Sequence, residues 1–138
     1  MLIETIRLLL DFGLLILIWM VQLLIYPSFA FYNPKDLLAW HEKYTRRIAV
    51  IVIPLMFGQL IVTTAQFVQE QGFYEILSMA MILLLWMITF AQFVPLHKSL
   101  SNGEEIAASV QKLVNRNWTR TTIWTALFAL TVWNYFIA

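Results

Sequence analysis

The sequence predicts an all-α fold: a bundle of four transmembrane helices, with an amphipathic cytoplasmic extension before helix 2 and a short helix between helices 3 and 4. Three observations carry this. Hydrophobic residues make up 61% and charged residues 12% of the 138 positions, the latter about half the roughly 25% of a soluble domain. Four apolar runs, about 8–26, 48–68, 73–94 and 118–137, each approach the roughly 20 residues that cross a hydrocarbon core of about 30 Å. The basic residues are also one-sided. Lys35, Lys43, Arg46, Arg47, Lys98, Lys112, Arg116 and Arg120 flank the 1–2 and 3–4 connections, and only Arg7 lies on the other side. By the positive-inside rule both connections are cytoplasmic and both termini lie outside. The whole chain then forms one integral membrane domain.

Each element has its own signals. In span one the stretch 14–21 is apolar all round, whereas a helix of a soluble bundle needs a polar face. No small-residue cleavage motif follows it, so it is expected to be retained as a span. Arg7 and Asp11, one turn apart, are expected to pair at the outer interface. Trp19, Gln22 and Tyr26 share a face, and Pro27 is expected to stop or kink the helix. Asn33-Pro34-Lys35-Asp36 starts the next helix: Asn33 caps, Pro34 suits the first position and Asp36 sits in the first turn. That helix runs through His41 into span two. Eighteen residues make five turns, so His41 and Gln59 fall on one face. Pro54 is tolerated in a membrane helix whose neighbours satisfy the freed carbonyl, and Gly58 permits close approach of another helix. Span three carries Trp86, Phe90 and Phe93 on one arc, which reaches His97 if the helix survives Pro95. Pro95 is expected to bend or end it. Residues 104–115 form a short amphipathic helix with Ile106, Val110 and Leu113 on its apolar side. Asn117, Thr121 and Trp124 then share a stripe of span four. Trp40 and Trp118 suit one aromatic belt, and Tyr74, Trp133 and Tyr135 the other.

Several chemistries are excluded. The chain has no cysteine, so disulfides, thiolate metal sites and thiol nucleophiles are absent. A net charge of +1 offers no basic surface for nucleic acid. No phosphate loop, dinucleotide fingerprint or nucleophile elbow occurs. Topology instead gathers polar residues at the cytoplasmic end, where intramembrane polar groups mark candidate sites. The candidate ligand-binding residues are His41, His97, Arg47, Arg120, Gln22, Tyr26, Tyr44, Gln59, Gln92, Asn117, Trp86 and Trp124. Arginines bind carboxylate or phosphate in forked fashion and aromatic residues can sandwich a ring, which suits a small amphipathic or anionic ligand. His41 and His97 are also the candidate ligands of a metal or haem, although the nearby arginines oppose a cation and the spacing is not HExxH. Two other classes compete: a small membrane oxidoreductase or oxygenase acting on an aromatic or quinone-like substrate, and a structural subunit or oligomeric transporter. The partners expected are the lipid bilayer, a small molecule and a second copy of the chain.

The pattern Gln22…Tyr26-Pro27, His41…Tyr44…Arg47, Pro54-Leu55-Met56, Trp86…Thr89…Gln92…Pro95…His97…Leu100 and Asn117-Trp118…Arg120-Thr121…Trp124 resembles a family of small bacterial four-span proteins with no assigned activity. That resemblance covers nearly the whole chain and implies the topology and a place in a bacterial inner (plasma) membrane. Spans three and four are also similar to anthrone-oxygenase-like membrane proteins, which share a proline-polar segment after span three and an Asn/Arg pair opening span four. This second resemblance implies oxidation of an aromatic polyketide.

Overall fold

A computed structural model describes residues 1–138, and its regular elements are all helical. Helix α1 covers Leu2–Phe31, α2 Pro34–Gln69, α3 Phe73–Ser101 and α4 Ile106–Phe136. The connections are Tyr32 with Asn33, Glu70 to Gly72, and Asn102 to Glu105. Connections this short make successive helices antiparallel neighbours. Helices α1 and α3 each pack against both α2 and α4, which closes the ring.

Local chemistry explains the ends. Asn33 caps α2 by accepting the Asp36 backbone N–H at 2.8 Å, and Pro34 takes the first helical position, as the sequence predicts. The α3–α4 turn needs two left-handed residues, Gly103 at φ 74° and Glu105 at φ 41°. Gly58 lets α1 approach α2 closely: a Cβ there would stand 3.1 Å from Leu10 Cδ2.

Two expectations about helix ends are corrected. Pro27 and Pro95 were expected to stop or bend their helices; helix continues past both, so neither stops its helix. Each proline is preceded by a π turn, Val21–Ile25 in α1 and Thr89–Phe93 in α3. The wider turn pairs the Tyr26 N–H with the Val21 carbonyl and the Val94 N–H with the Thr89 carbonyl. It thereby absorbs a residue that cannot donate and whose ring crowds the preceding turn. The short helix between helices 3 and 4 is likewise not separate. Residues from Ile106 run unbroken into α4, because no Gly or Pro lies between Ile106 and Phe136 to interrupt them.

Burial differs from that of a soluble bundle. Of 32 buried residues, 13 are polar or charged, while Leu9, Ile16, Val50, Ile61, Leu83 and Met87 lie exposed on the outside. An exterior of this kind suits lipid, against which only the polar groups gain by facing inward. Three helices, α1 to α3, are long and apolar enough to cross a membrane.

Between the polar residues lies an apolar core in two parts. One surrounds Phe29, Leu37, Phe93, Leu100 and Leu113 at the end of the bundle that holds the histidines. The other surrounds Leu14, Ile82, Leu85 and Leu127 near the middle.

Candidate functional site

The four helices bring their polar side chains together at the histidine end in one continuous hydrogen-bonded chain. Gln22 of α1 donates to the Val114 carbonyl at 3.2 Å. Its Oε1 accepts from Asn117 Nδ2 and Thr121 Oγ1 of α4, each at 3.0 Å. Asn117 Oδ1 accepts from Arg120 Nε at 3.0 Å and Nη2 at 2.8 Å. Arg120 Nη2 also donates to the Tyr26 hydroxyl at 3.1 Å. The Tyr26 hydroxyl lies 2.9 Å from His97 Nε2, His97 Nδ1 lies 2.8 Å from His41 Nε2, and His41 Nδ1 lies 3.0 Å from Ser101 Oγ.

The donors set the polarity of this chain. A guanidinium only donates, so the Tyr26 oxygen accepts from Arg120, and with its single proton pointed to His97 Nε2 every remaining contact of the chain has one donor and one acceptor. His97 then carries its proton on Nδ1 and donates to His41, which in turn donates from Nδ1 to Ser101. Both imidazoles are neutral in this arrangement. They lie past the ends of the apolar runs 48–68 and 73–94. Burial lowers the His41 pKa from its ordinary value. His97 is pushed down to about 3, by burial first and then by the neighbouring His41 and Arg120.

Beside this chain lies a cavity of about 310 Å³, at the lower end of the range for small-molecule pockets. Leu14, Ile18, Val21, Ile48, Val52 and Met56 supply much of its wall, and Trp124 closes one side. Tyr26, Tyr44, Thr89, His97 and Arg120 give it one polar end. Ile53 and Val94 line it and are also exposed on the outer apolar surface, so its mouth lies between α2 and α3. Burial holds the Tyr44 phenol well above its ordinary pKa, which keeps its hydroxyl a donor at the cavity wall.

Arg120 is the unusual group here. It is 8% exposed, its Cζ stands 3.5 Å from the centre of the Phe93 ring, and its Nη1 reaches Thr89 Oγ1 only at 3.4 Å. No carboxylate faces it. The ion pairs of the chain are Arg7 with Asp11, Arg46 with Glu42, and the N-terminus with Glu4.

Of the residues singled out in the sequence, His41, His97, Tyr26, Gln22, Asn117 and Arg120 join this network, and Tyr44 and Trp124 line the cavity. Four lie elsewhere. Arg47 is exposed on the outside of α2. Gln92 is half-buried in the α3 π turn. Trp86 packs between Phe57 and Phe90. Gln59 shares a face with His41 as predicted, but 18 residues of helix put it about 27 Å away, where it donates to Asp11 at 2.6 Å. Thr89, Phe93 and Ser101 also belong to the site. Thr89 stands in the same turn as Gln92, but only the π turn decides which of the two faces inward.

Gln59 belongs to a second polar cluster at the opposite end, where a further expectation is corrected. Arg7 and Asp11 do pair, at 3.0 and 2.9 Å from Nε to the two carboxylate oxygens, but each is 1% exposed instead of interfacial. Partners on other helices supply further hydrogen bonds to both, although Arg7 Nη2 has none. Gln66 accepts from Arg7 at 3.0 Å, and Thr131 donates to Asp11 at 2.6 Å.

The two histidines do not fit a shared metal or haem. Their facing nitrogens are 2.8 Å apart, which leaves room for a proton. Two nitrogens each about 2.0–2.1 Å from one ion stand about 3.3 Å apart in a tetrahedral site and about 4 Å apart on opposite sides. The rings are also stacked, with centroids 5.0 Å apart and planes inclined by 18°. No group of three or more His, Asp or Glu side chains is arranged to hold an ion. Compared with known proteins, the chain matches no family model, no curated protein and no solved structure.

Proposed function

We propose that this chain is a four-span membrane protein that binds a small single-chain anionic amphiphile, with the headgroup on Arg120 and the tail in the apolar cavity. One observation carries this reading: the protein buries two arginines and gives a carboxylate to only one of them. Arg7 has Asp11, whereas Arg120 has neutral partners and faces a cavity. A buried charge without a counter-charge is costly, and an anion from outside the chain offsets that cost. The Tyr44 hydroxyl supplies a second donor. The mouth beside Ile53 and Val94 gives a tail a path to the surrounding lipid.

A membrane-embedded fourth helix is consistent with this. Helix α4 is less apolar than the others because it carries Asn117, Arg120, Thr121 and Thr131, and all four are buried against neighbouring helices. The topology has a direct test, since the chain lacks cysteine. Gln71→Cys is expected to react with a membrane-impermeant maleimide on intact cells, and Asn102→Cys only after permeabilisation. Labelling of both from the same side would refute the topology.

The binding site is tested with ω-bromodecanesulfonate, a permanently charged amphiphile with a heavy-atom quencher on its tail. With the full chain in lipid nanodiscs, saturable quenching of tryptophan fluorescence is expected, and Trp124→Phe removes most of it. The uncharged ω-bromodecanol quenches only in proportion to its partitioning into lipid. Equal, non-saturating quenching by both compounds would defeat the proposal.

A further inference from the structure

The polar end of the cavity holds two groups whose states depend on each other, the Arg120 charge and the hydrogen-bonded histidine pair. We propose that the site takes up its anion together with one proton, which comes to rest on His97. This deepens the anion-binding reading and rests on it.

The Tyr26 hydroxyl is the link. It has one proton and faces three groups: Arg120 Nη2 at 3.1 Å, His97 Nε2 at 2.9 Å and the cavity it lines. With the cavity empty of anion, the proton points to His97. An anion seated on Arg120 competes for that proton, since a charged acceptor makes a hydrogen bond roughly twice as strong as a neutral one. Once the hydroxyl turns toward the anion, His97 Nε2 and the Tyr26 oxygen face each other as two acceptors at hydrogen-bonding distance. A proton placed on Nε2 repairs this. It donates to the Tyr26 oxygen, while His97 Nδ1–H still donates to His41 and His41 Nδ1–H still donates to Ser101.

The charges agree with this assignment. The groups that face the pair are Tyr26 and Phe29 from α1, Tyr44 from α2, Ser101 from α3 and Arg120 from α4. None is a carboxylate, so Arg120 is the one charge among them. While it is uncompensated, a second positive charge nearby is disfavoured. A bound anion cancels it, and the added proton returns the site to the net charge it had when empty. The uptake stops at one, because a second proton would set N–H against N–H across the 2.8 Å between the rings. The proton comes from water: Ser101 is exposed and ends the chain at His41. Once both rings have exchanged tautomers, His41 Nδ1 accepts a proton from that side and passes one from Nε2 to His97 Nδ1. No bond in the ligand is made or broken.

A neutral alternative exists in which both imidazoles exchange tautomers and no proton is taken up, and the two outcomes are separable by calorimetry. The full chain in nanodiscs is titrated with ω-bromodecanesulfonate in buffers of different ionisation enthalpy. The sulfonate stays ionised throughout, so any proton exchanged belongs to the protein. Net uptake is expected to rise from near zero at about pH 8 toward one proton per bound sulfonate at about pH 5, with affinity increasing as pH falls. His97→Gln is expected to abolish the uptake at whatever affinity it retains. In the unsubstituted protein with 15N-labelled histidine, binding at about pH 5 is expected to convert one neutral ring to imidazolium. Sulfonate binding without uptake over this range overturns the coupling and leaves anion binding standing. Uptake that persists in His97→Gln overturns the assignment to His97. Failure of the sulfonate to bind at all overturns both readings.

Discussion

Replacing Asp11 with alanine is expected to destabilise the bundle by about 3–5 kcal/mol, the usual consequence of leaving one partner of a buried ion pair unpaired. Asp11 is the joint of three helices. Its Oδ1 accepts from Gln59 of α2 at 2.6 Å, its Oδ2 from Thr131 of α4 at 2.6 Å, and both oxygens accept from Arg7 one turn earlier in α1. Alanine would leave a guanidinium 1% exposed with only Gln66 as a strong acceptor. Its Nη2 already has no partner. Asp11→Asn keeps the shape but turns one acceptor into a donor facing Arg7, so its cost falls between wild type and Asp11→Ala. The double change Arg7→Leu with Asp11→Leu is expected to recover most of the loss, because a buried pair exchanged for apolar groups is near neutral. Denaturant unfolding in detergent provides the measurement. An Asp11→Ala protein as stable as wild type would show that water reaches the cluster and solvates Arg7.

Arg120→Gln is expected to have the opposite profile. Affinity for ω-bromodecanesulfonate falls about 100-fold, roughly 3 kcal/mol, the scale for removing one member of a desolvated, hydrogen-bonded charge pair. The stability of the empty protein changes little. Glutamine loses hydrogen bonds to Asn117 and Tyr26 but also removes an uncompensated buried charge, and its amide still offers donors to those groups. Arg120→Lys retains charge but not the fork that serves Asn117 and Tyr26 together, so an intermediate affinity is expected. Binding of ω-bromodecanol is unaffected in either variant. Should Arg120→Gln bind the sulfonate as tightly as wild type, Arg120 is not the headgroup anchor. A large stability loss without an affinity change would make Arg120 a packing residue.

The contrast between these arginines shows how much of the site was legible in the residues alone. Arg7 and Asp11 are spaced to pair, and they do. Their burial was not legible, since it depends on Gln59, Gln66 and Thr131 arriving from other helices. His41, His97, Tyr26, Asn117 and Arg120 were recognisable as polar groups at one end of apolar runs. The partner of each was not, and the two prolines are the main reason. A helix that stops at Pro27 or Pro95 has no phase beyond that point, whereas a π turn carries the helix through and rotates everything after it. That rotation puts Tyr26 against His97 and selects Thr89 over Gln92.

The sequence by itself determined the helical class, the start of α2 at Asn33 and Pro34, the approximate extent of the apolar runs, and the collection of polar residues at the histidine end. These follow from composition, capping and helix periodicity, which act within a few residues along the chain. Packing of the four helices settles which polar groups meet, that Arg7 and Asp11 lie inside, that Gln59 serves the far end, and that Arg120 faces a cavity without a counter-charge. The physical reason is the near-uniform apolarity of the helices. In a soluble helix the boundary between apolar and polar faces fixes its rotation. Here both the core-facing and the outward faces are apolar, so rotation is set by a few buried hydrogen bonds between residues 48 to 120 positions apart.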